Sequence, residues 1–210
     1  MNFSGYFKLK QIKKIPCFDV LRKNEMKICQ MPKNLKIKIS PSSFPPFRII
    51  IHGWNADSTH IFTPMTTEAY LQQGDLNVIA FDWGVAANDS NYLRARNRIS
   101  SSGQVGARFL DFLVINSLLK YENVHVVGYS LGAHLAGFIG KNTQYGQIEI
   151  IVGLDPAGAF FDANNPTTRL ATTDAIYVEI IHTNGGGLGI GSPIGHADFL
   201  PNGKSFEKHN

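Results

Sequence analysis

Val124-His125-Val126-Val127-Gly128-Tyr129-Ser130-Leu131-Gly132 is the stretch that decides the fold. Its first half is a β-branched run, which suits a strand buried on both faces. Its second half sets a serine between two glycines, and Ala133, Leu135, Ala136 and Phe138 follow in a helical pattern. A strand that passes through Gly-x-Ser-x-Gly into a helix is the context of a nucleophile elbow. The sharp turn exposes the serine hydroxyl at its tip. The glycines let neighbouring chain pass where a Cβ would clash. The helix N-terminus behind the serine supplies positive potential where an oxyanion would form. Ser130 is therefore the candidate nucleophile.

The same strand signal recurs on both sides. Near-continuous apolar runs over residues 47–52, 77–83, 148–152 and 176–181 predict further strands of a parallel sheet. Helical signals fall between them. The longest spans residues 103–121, with Val105, Phe109, Phe112 and Leu113 on one face. Strands alternating with helices imply βαβ units and right-handed crossovers. The fold class is α/β, with a mostly parallel central sheet and flanking helices.

A serine nucleophile needs an oxyanion hole, a base and an orienting carboxylate. One oxyanion donor is the backbone N–H of Leu131, the residue after the serine. The second belongs to the loop after an earlier strand, where His52-Gly53-Trp54 stands. In this fold the triad follows in the order serine, acid, histidine. Asp155 ends the strand at 148–152 in Gly153-Leu154-Asp155-Pro156-Ala157, and ligand sites of open α/β sheets lie at such strand ends.

Composition bounds the remaining choices. The 210 residues, 43% of them hydrophobic, suit one domain or an incomplete version of a larger one. Residues 1–40 show no clean period, and Pro41-Ser42-Ser43-Phe44-Pro45-Pro46 separates them from the α/β domain at 41–210. The net charge of +4 reflects Lys8, Lys10, Lys13, Lys14, Lys33, Lys36 and Lys38 near the N-terminus. This run reads as a solvated face, and no nucleic-acid motif accompanies it. There is no apolar stretch of about 18 residues to span a membrane. Residues 1–30 lack the apolar core of roughly 7–15 residues that a signal peptide carries. Cys17 and Cys29 fit a local disulfide in an exported protein or two thiols in a cytosolic one. Asn2-Phe3-Ser4 and Asn88-Asp89-Ser90 match the glycosylation acceptor pattern.

Several segments together resemble the pancreatic-type (neutral) lipases, including the short insect forms and the related phospholipases A1. They are Ile50-Ile51-His52-Gly53-Trp54, Phe81-Asp82-Trp83, residues 127–137, Gly153-Leu154-Asp155-Pro156-Ala157-Gly158, Asp174-Ala175 through Ile181-His182-Thr183, and Pro193-Ile194-Gly195-His196-Ala197-Asp198-Phe199 with Pro201-Asn202-Gly203. The resemblance implies an α/β-hydrolase fold and a secreted enzyme that cleaves acyl esters of glycerolipids, triacylglycerol or phospholipid, through an acyl-enzyme. It implies Ser130 as nucleophile, Asp155 as triad acid, and the N–H groups of Trp54 and Leu131 as oxyanion donors. The implied partner is a lipid interface, with no cofactor.

Three features depart from the family pattern. The family's catalytic histidine lies in a cysteine-x-histidine-x-arginine stretch after the proline-asparagine-glycine segment, and this sequence ends before one. Of the histidines after Asp155, His182 and His196 match structural or pocket-lining positions, and His209 lies in a polar tail. Vertebrate members hold calcium between the triad acid and the Asp-Ala pair. Here Arg169 and Asp174 persist, while Pro166 and Ala171 replace two acidic ligands, so no bound metal is expected. The signal peptide, the cysteine-bounded lid and the C-terminal lipid-binding domain are not in the sequence, which reads as a chain cut at both ends. The missing base leaves a second expectation, a non-catalytic lipid-binding or yolk-type storage protein. Gly185-Gly186-Gly187-Leu188-Gly189-Ile190-Gly191 lacks the lysine of a phosphate loop and is expected to be a surface loop beside the acyl site.

Overall fold

A computed structural model describes residues 46–201. The basic segment at 1–40, Cys17, Cys29, the Asn2 acceptor pattern and His209 lie outside the described residues.

Six strands form one sheet: β1 (Phe47–Ile51), β2 (Asn77–Phe81), β3 (Val124–Tyr129), β4 (Ile150–Leu154), β5 (Tyr177–Ile181) and β6 (Ala197–Phe199). Their order is β2-β1-β3-β4-β5-β6, and every pairing is parallel. Ile51 is level with Phe81 and Gly128, Tyr129 with Leu154, and Leu154 with Ile181. The strands' C-terminal ends are therefore aligned, and the loops that leave them share one edge of the molecule. β6 is three residues long and carries no apolar run, so the sequence pattern does not predict it.

The helices are α1 (Phe62–Gln73), the short α2 (Gly84–Ala87), α3 (Tyr92–Ile115) and α4 (Leu131–Asn142). None is long and apolar enough to cross a membrane among the described residues. α1 lies against β1 and β2, and α4 covers β1, β3 and β4 with α3 packed against it. α4 is thus buried nearly all round, which its run of Ala, Gly and Leu permits.

α3 differs from the expected helix at 103–121. It begins eleven positions earlier, where Asn91 accepts the Arg94 N–H at 3.2 Å as an N-cap. The first half, Tyr-Leu-Arg-Ala-Arg-Asn-Arg, shows no apolar period because Ala95 and Ile99 alone carry its buried stripe. That stripe continues through Gly103, Gly106, Ala107, Leu110 and Leu113, one step round from the predicted Val105, Phe109 and Phe112. Close approach of α4 dictates the small residues. A Cβ on Gly103 would stand 2.4 Å from Phe138 Cβ, inside any real contact distance.

Candidate active site

Ser130 follows Tyr129 at the end of β3 and caps the N-terminus of α4. Its backbone has φ 56° and ψ −121°, a region that non-glycine residues rarely enter. Such a conformation costs about 1–3 kcal/mol and persists only where surroundings fix it. Three contacts do so. Ser130 N–H donates to the Leu154 carbonyl at 2.9 Å, and its own carbonyl accepts the N–H groups of Ala133 at 3.1 Å and Ala157 at 3.4 Å. The glycines remove the remaining obstacles. A Cβ on Gly128 would lie 2.3 Å from the Gly132 carbonyl oxygen, and one on Gly132 would lie 2.4 Å from the His52 carbonyl oxygen. Strand, turn and helix therefore close on one another with no space for a methyl group.

The loop after β1 touches the same turn. A Cβ on Gly53 would stand 3.1 Å from Ser130 Cβ. Trp54 is 39% exposed, its indole N–H bonded to the Asp89 carbonyl at 2.8 Å and its ring edge-on to Tyr92 at 5.2 Å. Leu131 is fully buried, and as the first residue of α4 its N–H has no carbonyl within the helix to meet. The elbow thus brings Ser130 and Leu131 together with the Gly53-Trp54 turn.

Asp155 follows Leu154 on the neighbouring strand, in register with the elbow. It too adopts a positive φ, 43°. Its N–H donates to the Ile181 carbonyl at 2.7 Å, and its Oδ1 accepts the Asn184 N–H at 2.7 Å. A Cβ on Gly189 would lie 2.5 Å from Asp155 Oδ1. The glycine-rich segment therefore folds over the acid, fastened by Gly189 N–H to the Asn184 carbonyl at 3.1 Å and Gly158 N–H to the Leu188 carbonyl at 2.7 Å. Leu188 at its tip is 78% exposed.

His134 carries the link between the two halves, and the sequence pattern gives no sign of it. Four residues along α4 from Ser130, it is fully buried. Its Nδ1 accepts the Leu170 N–H at 3.1 Å, so Nε2 holds the proton and donates to the Ala157 carbonyl at 2.7 Å. Its ring stacks on Phe161 at 3.8 Å. Burial pushes its pKa down to about 3, so the ring is neutral at ordinary pH. His182 is equally committed, with Nδ1 on the Ile190 carbonyl at 2.9 Å and Nε2 on Asp198 at 2.8 Å. His196 precedes β6 and accepts the Val178 N–H at 3.0 Å, back along the strands from the site. Asp155 has no histidine hydrogen-bonded to it among the described residues.

The region where vertebrate lipases hold calcium does not fit that ion. Pro166 and Ala171 offer no carboxylate. Asp174 Oδ1 takes the Lys141 ammonium at 2.5 Å and Oδ2 the Ala171 N–H at 2.9 Å. Burial pushes the Asp174 carboxyl up, against the pull of Lys141. The Arg169 guanidinium donates to the carbonyls of Asp162, Ala163 and Leu170. A calcium ion wants six to eight oxygens, whereas here Lys141 and the Ala171 N–H take the Asp174 carboxylate and Arg169 takes three of the nearby carbonyls.

A parallel sheet with a serine elbow at its C-terminal edge, an acid one strand over and a glycine loop against the serine defines the α/β hydrolases. Esterase PE8 shares this fold, with a TM-score of 0.50 and 16% identity over 67% of this chain and 69% of that one. The family model described as "Lipase" matches residues 9–208, and the chain belongs to that family. It is 36% identical over 166 residues to lipoprotein lipase of Sus scrofa, covering 76% of this chain and 34% of the relative. It is 32% identical over 155 residues to lipase member H of Mus musculus, covering 73% and 34%. To the putative endothelial lipase of Crotalus adamanteus it is 38% identical over 165 residues, covering 75% and 33%. The chain thus spans about a third of the length of the curated relatives it matches.

Proposed function

We propose that the protein is an extracellular carboxylic ester hydrolase of glycerolipids, a triacylglycerol lipase or phospholipase A1, with Ser130 as its nucleophile. The observation that carries this reading is the strained, positive-φ serine at the tip of the β3–α4 turn, packed against Gly53 and one strand from Asp155. Strain of this kind is retained where it serves exposure of a reacting group.

In the proposed reaction a histidine takes the Ser130 proton while Oγ attacks the ester carbonyl. Asp155 orients that histidine through Oδ2, because Oδ1 is occupied by Asn184. The negative charge on the tetrahedral oxygen falls to the N–H groups of Trp54 and Leu131, with the α4 N-terminus behind them. The histidine then protonates the leaving alcohol, and water releases the fatty acid by the reverse sequence. Exposed Leu188, Phe160 and Tyr129 give the site edge an apolar rim suited to acyl chains.

Hydrolysis of p-nitrophenyl butyrate by the full natural protein tests the reading. Ser130→Ala is expected to remove turnover, and Asp155→Asn to lower kcat by about 10³–10⁴-fold. Parental turnover in Ser130→Ala would show that the nucleophile is elsewhere, whereas no turnover in the parent itself would favour a lipid-binding relative.

A further inference from the structure

A trans peptide carries its C=O and N–H on opposite sides of one plane, so fixing either aims the other. We infer that His52 is a positioning residue for the oxyanion hole: by holding the Gly53 carbonyl, its imidazole turns the Gly53–Trp54 peptide so that the Trp54 N–H faces the elbow. The inference rests on the reading of Trp54 as an oxyanion donor.

His52 Nδ1 lies 3.0 Å from the Gly53 carbonyl oxygen. A carbonyl only accepts, so Nδ1 holds the proton and donates in either charge state of the ring. The accepting carbonyl and the Trp54 N–H belong to the same peptide. That peptide starts from the residue whose Cβ would touch Ser130, so its orientation is set beside the nucleophile. A hydrogen bond accepted at the C=O also polarises the unit and strengthens its N–H as a donor.

The imidazole is itself held. His52 is 1% exposed. Its Nε2 stands 3.2 Å from both Asp82 Oδ1 and the Trp83 N–H. The Trp83 ring stacks on it at 5.8 Å, and the indole N–H donates to the His52 carbonyl at 2.7 Å. Gly84 N–H secures Asp82 Oδ1 at 2.9 Å. Burial pushes the Asp82 carboxyl up, but the adjacent His52 ring and hydrogen bonds from Gly84 and Ser58 outweigh it and hold the group at about 2. Asp82 and Trp83 thus fix the ring, the ring fixes the carbonyl, and the carbonyl aims the N–H.

Two replacements separate these roles in the full natural protein. His52→Asn puts an N–H donor where Nδ1 stands and keeps the Gly53 bond. His52→Gln reaches towards Asp82 and Trp83 and abandons Gly53. His52→Gln is expected to lower kcat for p-nitrophenyl butyrate by about 10- to 100-fold at unchanged KM, somewhat less than outright deletion of a donor. His52→Asn is expected to recover most of that loss, although both variants melt at similar temperatures. Parental kcat in His52→Gln, or equal losses in the two variants, overturns the inference. Failure of the underlying reading looks different, because Ser130→Ala would then hydrolyse the ester as the parent does. A readout independent of turnover is an NMR correlation across the hydrogen bond, from His52 Nδ1 to the Gly53 carbonyl carbon. Its presence is expected, and its absence overturns the inference.

Discussion

Ser130 and Asp155, the proposed nucleophile and acid, sit on adjacent strand ends, yet they are held by different forces. Around Ser130 the holding is steric, joined by main-chain hydrogen bonds that do not titrate. Gly128, Gly132 and Gly53 let main chain touch main chain at distances no side chain tolerates. Around Asp155 it is polar: Asn184 N–H on the carboxylate, His134 on the Ala157 carbonyl, Arg169 on three carbonyls and Lys141 on Asp174. Contact between uncharged atoms does not titrate. Hydrogen bonds that need a particular proton do. The elbow should therefore be brittle to volume and indifferent to pH, and the acid side the reverse.

The larger effect breaks the elbow. Gly132→Ala sets a methyl group 2.4 Å from the His52 carbonyl oxygen and 2.6 Å from that of Ile51, both rigid strand-end backbone. The expected cost is about 4 kcal/mol or more, near the upper end for a single substitution. Thermal melting followed by circular dichroism measures it. A loss under about 1 kcal/mol would show that the turn yields easily and that the steric half of the comparison is wrong.

A smaller effect sharpens the acid side. His134 has a pKa pushed from 6.5 down to about 3 by burial, so the unfolded chain binds a proton there that the folded chain refuses. Stability is therefore fully present above about 6.5 and falls as pH drops towards about 3. The slope is at most about 1.4 kcal/mol per pH unit for this one group. His134→Gln keeps one donor and one acceptor but cannot titrate, and should flatten the decline between pH 6 and 4 in denaturant melts. An unchanged slope would remove His134 from the acid sensitivity.

The same contrast explains what was legible in the sequence. The elbow was readable because steric demands leave a residue signature: glycines at fixed spacing between a β-branched run and a helical one. β1, β3 and β5 were readable for their Val and Ile content, within two residues at either end. α1 was not, since Phe-Thr-Pro-Met-Thr-Thr-Glu has no apolar stripe and only Thr63 is buried. The start of α3 was hidden by polar residues, Arg94 and Arg98 among them facing solvent. Polar fastening leaves a fainter trace. His52 and His134 act through bonds to backbone carbonyls and N–H groups, and Asn184 through its own N–H to the Asp155 carboxylate, and those depend on side-chain torsions and loop paths that no spacing encodes. Asp82 and Trp83 stood in a family-like segment, but their grip on His52 spans thirty positions and emerges only when β1 and β2 lie side by side.

The central claim, that Ser130 is the reacting atom's owner, is tested most directly by covalent capture. The full natural protein is treated with a p-nitrophenyl alkylphosphonate, and the adduct is mapped by peptide mass spectrometry. The account predicts one phosphonate per chain, on Ser130, with release of an equal amount of p-nitrophenol. Stoichiometric modification of any other residue, or none while ester hydrolysis proceeds, would contradict it.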